Sequence, residues 1–166
     1  DLDVFPDADR TLIDYRKYFA DGIAFVGMMT SRGCPYNCLF CKPMLDKIHG
    51  QRVRRRSAKR VAREMATIAD TLGYKKFLFK DDTMVLGGLD YFEDLERELV
   101  AAGLRDSQWV CQARVDQISA PLLEQMKRCG LGAIAFGVES GSQRVLDFYR
   151  KGIKIEMDGS PWEVVD

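Results

Sequence analysis

The sequence predicts an α/β fold, a partial (β/α) barrel of about four βα units with parallel strands. Three features of the 166 residues lead there. Short apolar runs alternate with amphipathic stretches at roughly 30-residue spacing, the rhythm of parallel strands joined by right-handed crossover helices. The amphipathic stretches open on a capping residue and stop at a glycine. Polar and metal-type side chains gather after the carboxyl ends of the apolar runs, where α/β architectures collect their ligands.

The elements follow in order. GIAFVGMMT, Gly22–Thr30, reads as the first strand, and a cysteine-containing loop follows it. SAKRVAREMATIADTLG reads as a helix. Ser57 supplies the N-cap, Val61, Met65, Ile68 and Leu72 form one apolar stripe, and Gly73 ends it. A short strand over Lys75–Lys80 comes next. The helix from Leu89 places Phe92, Leu95, Leu99 and Ala102 on one face and stops at Gly103. QWVCQARV, residues 108–115, is the third strand. Ser119 then caps a helix with Pro121 in its first turn and Gly130 as its stop. AIAFGV, residues 133–138, is the fourth strand, and SQRVLDFYRKG closes with a helix ending at Gly152.

Residues 1–20 read as a lead-in segment from an upstream domain that is absent here. Residues 21–154 read as the N-terminal part of the barrel, and 155–166 as an irregular tail. The chain begins with Asp rather than Met, as an excerpted or processed segment would. Eight βα units take ~250 residues, so four make half a barrel. The last strand then exposes an edge that further chain or a partner must cover.

Composition narrows the function classes. With 25 basic and 25 acidic residues there is no global attraction to nucleic acid or anionic membrane. The basic run QRVRRRSAKR, Gln51–Arg60, has two readings, an RNA-binding patch or a solvated connector into a helix. The absence of interleaved aromatics favours the connector. No apolar run approaches the ~20 residues that span a bilayer. Five cysteines, three of them clustered, do not form the even framework of a small secreted protein; a reduced, intracellular setting is expected. Cys111 and Cys129 fall at apolar positions and read as core.

The cluster is the strongest signal. Cys34, Cys38 and Cys41 have the spacing C-x3-C-x2-C in a loop containing Gly33 and Pro35. Structural zinc wants four tetrahedral ligands, and the single histidine, His49, lies eight residues past Cys41. An iron–sulfur cubane also wants four ligands, and on three thiolates it keeps one iron open to another ligand.

CxxxCxxC after a first strand, with Phe40 just before the last cysteine, resembles the radical S-adenosylmethionine (radical SAM) superfamily. FLFKDDTMV, the stretch from Trp109 to Ile153, and the lead-in FPDADRTLIDY are similar to the members whose radical SAM domain follows a cobalamin-binding domain. The resemblance spans about residues 5–154. It implies a 4Fe–4S cluster on Cys34, Cys38 and Cys41 whose open iron chelates SAM. Reductive cleavage of SAM would give a 5′-deoxyadenosyl radical, with a flavodoxin- or ferredoxin-type electron donor as partner. Any cobalamin would be bound by a domain outside this chain, and the substrate is unspecified.

The same resemblance assigns candidate SAM contacts. Phe40 matches the aromatic near the adenine, against a reading as plain core. Asp81 or Asp82, in KDDTM where the family commonly has Gly-Gly-Glu, would hold the methionine amino group; a capping or solvated acid is the rival. Arg114, on the same side of its strand as Gln112, would grip the SAM carboxylate, against a surface ion pair. Glu139 and Ser140 would face SAM at the end of the fourth strand, with Gly137 and Gly141 allowing close approach. The sequence departs from the family in having about four βα units where six are typical. It also lacks a D-x-H-x-x-G cobalamin signature. A non-catalytic iron–sulfur or zinc module and an RNA-binding fragment are the alternative functions.

Overall fold

The computed structural model describes residues 2–17 and 25–155. In chain order it contains β1 (Val26–Met28), β2 (Ser31–Arg32), α1 (Lys42–Ile48), β3 (Arg54–Arg55), α2 (Ala58–Leu72), β4 (Lys76–Phe79), α3 (Gly88–Ala101), β5 (Gln108–Ala113), α4 (Ala120–Arg128), β6 (Leu131–Phe136) and α5 (Gln143–Phe148). The main sheet runs β1-β4-β5-β6, with every pair parallel. Each neighbouring pair is joined through a helix, so the sheet is the strand layer of a partial (β/α) barrel. β2 and β3 form a small antiparallel ribbon beside it.

The helices form where propensity, capping and burial agree. Ser57 accepts the N–H of Arg60, and Gly73 closes α2 in the left-handed region at φ 75°. Val61, Met65 and Ile68 are buried on one side of that helix. Ser119 accepts the N–H of Leu122 at the start of α4. In the register, Val26 pairs with Phe77 and Phe77 with Trp109, so these side chains share one face of the sheet. That face carries the core. Phe77, Phe79 and Trp109 pack with Met65, Phe92, Leu95 and Met126 from the helices. The Trp109 ring stacks on Phe92 at 6.0 Å and its Nε1 donates to Cys129 O at 2.7 Å. The opposite face carries Gly27, Leu78, Val110 and Gln112, half-buried or exposed. Cys111 and Cys129 are both buried in the core, and burial pushes both thiols up to about 12.

Three differences from the sequence reading have physical causes. The first strand, expected over 22–30, is Val26–Met28 in the described chain, with residues 22–24 outside it. The fourth strand lies two residues earlier than expected, at Leu131–Phe136, because its small apolar residues give no alternation to fix its ends. The basic run is only partly solvated: Gln51, Arg52, Arg54 and Lys59 are exposed, while Arg55, Arg56 and Arg60 are engaged. Arg56 and Arg60 both reach Asp7 of the lead-in, and Arg56 also pairs with the buried Glu64. Arg55 donates to Met84 O and covers the Tyr91 ring. Among the described residues no helix is long and apolar enough to cross a membrane.

Glu64 has a second partner, Arg10, at 2.8 Å. Arg10 also donates to Gly27 O and Arg56 to Met29 O, so the two guanidiniums cap carbonyls on the free edge of β1. The edge of the sheet beyond β6 has no strand on it among the described residues.

Candidate functional site

The residues after the carboxyl ends of the strands enclose a cavity of ≈380 Å³, within the ~300–1,000 Å³ range of small-molecule sites. Cys34, Cys38 and Cys41 all line it, with Phe40, Asp82, Gln112, Arg114, Glu139 and Lys151. A larger cavity of ≈610 Å³ lies between the lead-in and β1. It holds no thiol, and its Arg10, Arg56, Asp7 and Glu64 are spent on one another, so the chemistry belongs to the smaller space.

The cysteine loop is held from several sides. Gly33, at φ 91°, takes a conformation other residues rarely adopt, and an added Cβ would stand 2.3 Å from Arg52 O. Its N–H donates to Asp82 Oδ2 at 2.7 Å, from the loop after β4. His49 Nδ1 stands 2.7 Å from the same oxygen. Leu39 N–H donates to Tyr149 O at 2.9 Å, and the Phe40 ring meets Tyr149 edge-on at 5.4 Å. Gln117 donates to the Tyr36 hydroxyl, and Arg114 lies over the Tyr36 ring.

Two of the expected contacts take other work. Asp81 is buried and accepts from Thr30 N, Thr30 Oγ and Ser31 Oγ. It ties the end of β1 to the end of β4 and does not line the cavity. Burial pushes its carboxyl upward despite those donors. Ser140 likewise lies outside the lining residues; its Oγ accepts from Ser142 N at the start of α5. Asp82, Phe40, Arg114 and Glu139 remain around the cavity.

Lys151 is the charged lining residue that sequence reading missed. It follows Arg150, at φ 53°, and precedes Gly152, at φ 73°. That turn buries the Lys151 side chain and brings its Nζ to 3.0 Å from Glu139 Oε1 and 5.6 Å from the Phe40 ring centre. Glu139 is itself left-handed, at φ 68°. A Cβ on Gly137 would stand 2.7 Å from Glu139 Oε1, so this glycine makes room for the ion pair. A lysine after a helix is too ordinary for sequence alone to mark it.

Three thiols around one cavity suit a cubane, which takes thiolate ligands. Among the described residues no three Cys, His, Asp or Glu side chains converge closely enough to hold one metal ion. A cubane binds each thiolate to a different iron, so its ligands stand apart around a larger body. Burial raises the thiols of Cys34 and Cys41, and the negative charges of neighbouring thiolates and Asp82 raise them further. A cationic iron centre would reverse that repulsion and stabilise the thiolates.

Comparison with known proteins matches the radical SAM superfamily over residues 28–157. The chain belongs to the radical SAM superfamily. This radical SAM chain is 37% identical over 152 residues to an uncharacterized methyltransferase of Pyrococcus horikoshii, covering 92% of the chain and 32% of that protein. It is 31% identical over 145 residues to the cytidylyl-2-hydroxyethylphosphonate methyltransferase of Streptomyces wedmorensis, covering 86% of the chain and 26% of that protein. The fold matches TsrM of Kitasatospora setae, a radical S-adenosylmethionine methyltransferase solved with cobalamin and a [4Fe–4S] cluster. The TM-score is 0.71 at 16% identity, covering 91% of the chain and 28% of TsrM. The chain thus spans about a third or less of these relatives. Membership in this enzyme family implies a 4Fe–4S cluster and SAM as cofactors.

Proposed function

We propose that this chain is the cluster- and SAM-binding part of a radical SAM enzyme, and that the parent enzyme transfers a methyl group with cobalamin held by a domain outside the chain. The observation that carries the first part is the meeting of Cys34, Cys38 and Cys41 in one cavity with Phe40, Asp82 and Glu139. The methyl-transfer part rests on the methyltransferases among the relatives and on the cobalamin in TsrM.

Cys34, Cys38 and Cys41 would hold the cluster, and one open iron would receive the amino and carboxylate groups of SAM. When bound and reduced, the cluster supplies the electron that cleaves SAM to methionine and a 5′-deoxyadenosyl radical. The chain's residues position and shield. Phe40 offers an aromatic face at the cavity wall, and Tyr149 holds its ring in place. Glu139 presents a carboxylate for ribose hydroxyls or the amino group, and the buried Lys151 fixes it. Asp82 braces the loop through Gly33. A flavodoxin- or ferredoxin-type protein would deliver the electron, in a reducing cytoplasm.

The test is anaerobic reconstitution with iron and sulfide, followed by metal analysis of single cysteine variants. Cys34→Ala, Cys38→Ala and Cys41→Ala should each lose the cluster, while Cys129→Ala retains it. Cluster retention in all three clustered variants would sink the reading.

A further inference from the structure

The sequence reading offers Arg114 to the SAM carboxylate. The structure commits its guanidinium elsewhere. Nε and Nη2 make a two-pronged pair with Asp116, at 3.0 and 2.7 Å. Nη2 also donates to Lys151 O at 2.6 Å. Nη1 donates to Cys38 Sγ at 3.6 Å, and the planar group lies 4.0 Å from the centre of the Tyr36 ring. Among the described residues only the second Nη1 hydrogen is uncommitted, and the side chain is 11% exposed. A two-pronged grip on a second carboxylate through Nη1 and Nη2 would require breaking the bond to Lys151 O.

We propose that Arg114 is a positioning residue for the cluster: it donates to the Cys38 thiolate and sets the cluster's reduction potential, instead of binding the SAM carboxylate. This rests on the reading of the three cysteines as cluster ligands. Reduction adds negative charge to the cluster and its sulfurs. A donor N–H aimed at a ligating sulfur stabilises that added charge and raises the potential. Asp116 works in the opposite sense, because its carboxylate offsets part of the guanidinium charge. The fixed fork with Asp116 and Lys151 O holds Nη1 toward Cys38. Arginine suits this position because its planar group stacks, forks and donates at once, which a lysine cannot do.

The geometry therefore predicts shifts of opposite sign at two neighbouring residues. An EPR-monitored redox titration of the reconstituted protein would compare wild type with Arg114→Gln and Asp116→Asn. The midpoint should move to more negative potential in Arg114→Gln and to more positive potential in Asp116→Asn, at equal iron content. Adding SAM should still change the EPR spectrum of reduced Arg114→Gln. Should that variant lose iron, Arg114→Lys and Asp116→Asn carry the comparison, with the same opposed signs expected. Unshifted midpoints, or shifts of the same sign, overturn the inference. So does an unshifted midpoint with loss of the SAM response in Arg114→Gln, which would return the residue to the SAM carboxylate. A wild type that holds no cubane overturns the underlying reading, whereas a cubane with unshifted variants overturns this inference alone.

Discussion

The N–H of Gly33 donates to Asp82 Oδ2 at 2.7 Å, joining the residue before the first clustered cysteine to the loop after β4. Because Gly33 is left-handed and its missing Cβ would meet Arg52 O, Gly33→Ala should strain both the turn and the ribbon beside it. A loss of about 1–3 kcal/mol is expected in urea unfolding. Iron retention should fall with it, since the same turn sets the direction of Cys34.

Asp81 and Asp82 are adjacent but should behave differently. Asp81→Ala strands the donors of Thr30 and Ser31 in a buried place and should cost about 2–3 kcal/mol. Asp82→Ala leaves that knot intact and releases Gly33, so cluster retention should suffer more than stability. Urea midpoints and iron content, measured on both variants, would contradict this division if the two residues changed them in the same proportion.

Glu64 holds two guanidiniums from a buried position on α2. Glu64→Ala leaves Arg10 and Arg56 facing each other without their shared acid, which should cost about 3–5 kcal/mol. The lead-in is tied to the domain partly through this carboxylate, so limited proteolysis should cut near residues 3–14 faster in the variant.

The core thiols give a pH signature. Cys111 and Cys129 are raised from 9.0 to about 12 by burial. Their folded values exceed their unfolded ones, so the stability they contribute is complete below about pH 9 and is lost as pH rises toward about 12. Urea midpoints should fall across that window, and Cys111→Ala should flatten the fall. Tyr91, also raised to about 12, keeps part of the slope in the variant. In metal-free protein below that window, an alkylating reagent should reach Cys34 and Cys41 before Cys111 and Cys129.

The helices were legible where a stripe, a cap and a glycine coincide. Ser57 to Gly73 shows all three, and α2 has those limits. α1, Lys42–Ile48, escaped because it buries no residue; Met44 and Ile48 are exposed, so it leaves no periodic stripe. The thiol cluster was visible because its spacing is unusual within the chain. The division of labour between Asp81 and Asp82 was not visible, because it depends on which strand end each acid meets in three dimensions. Arg114 shows the same limit. Alternation placed it on the third strand, but β5 ends at Ala113, and its partners came from Asp116, Cys38 and Lys151, the last two distant in sequence.

The most direct test of the cluster and its open site is EPR of the reduced, anaerobically reconstituted chain before and after adding SAM, with metal analysis on the same sample. An open-iron cubane on Cys34, Cys38 and Cys41 predicts about four irons per chain and a spectrum that changes when SAM binds. One tightly held zinc, with no response to SAM, would contradict it.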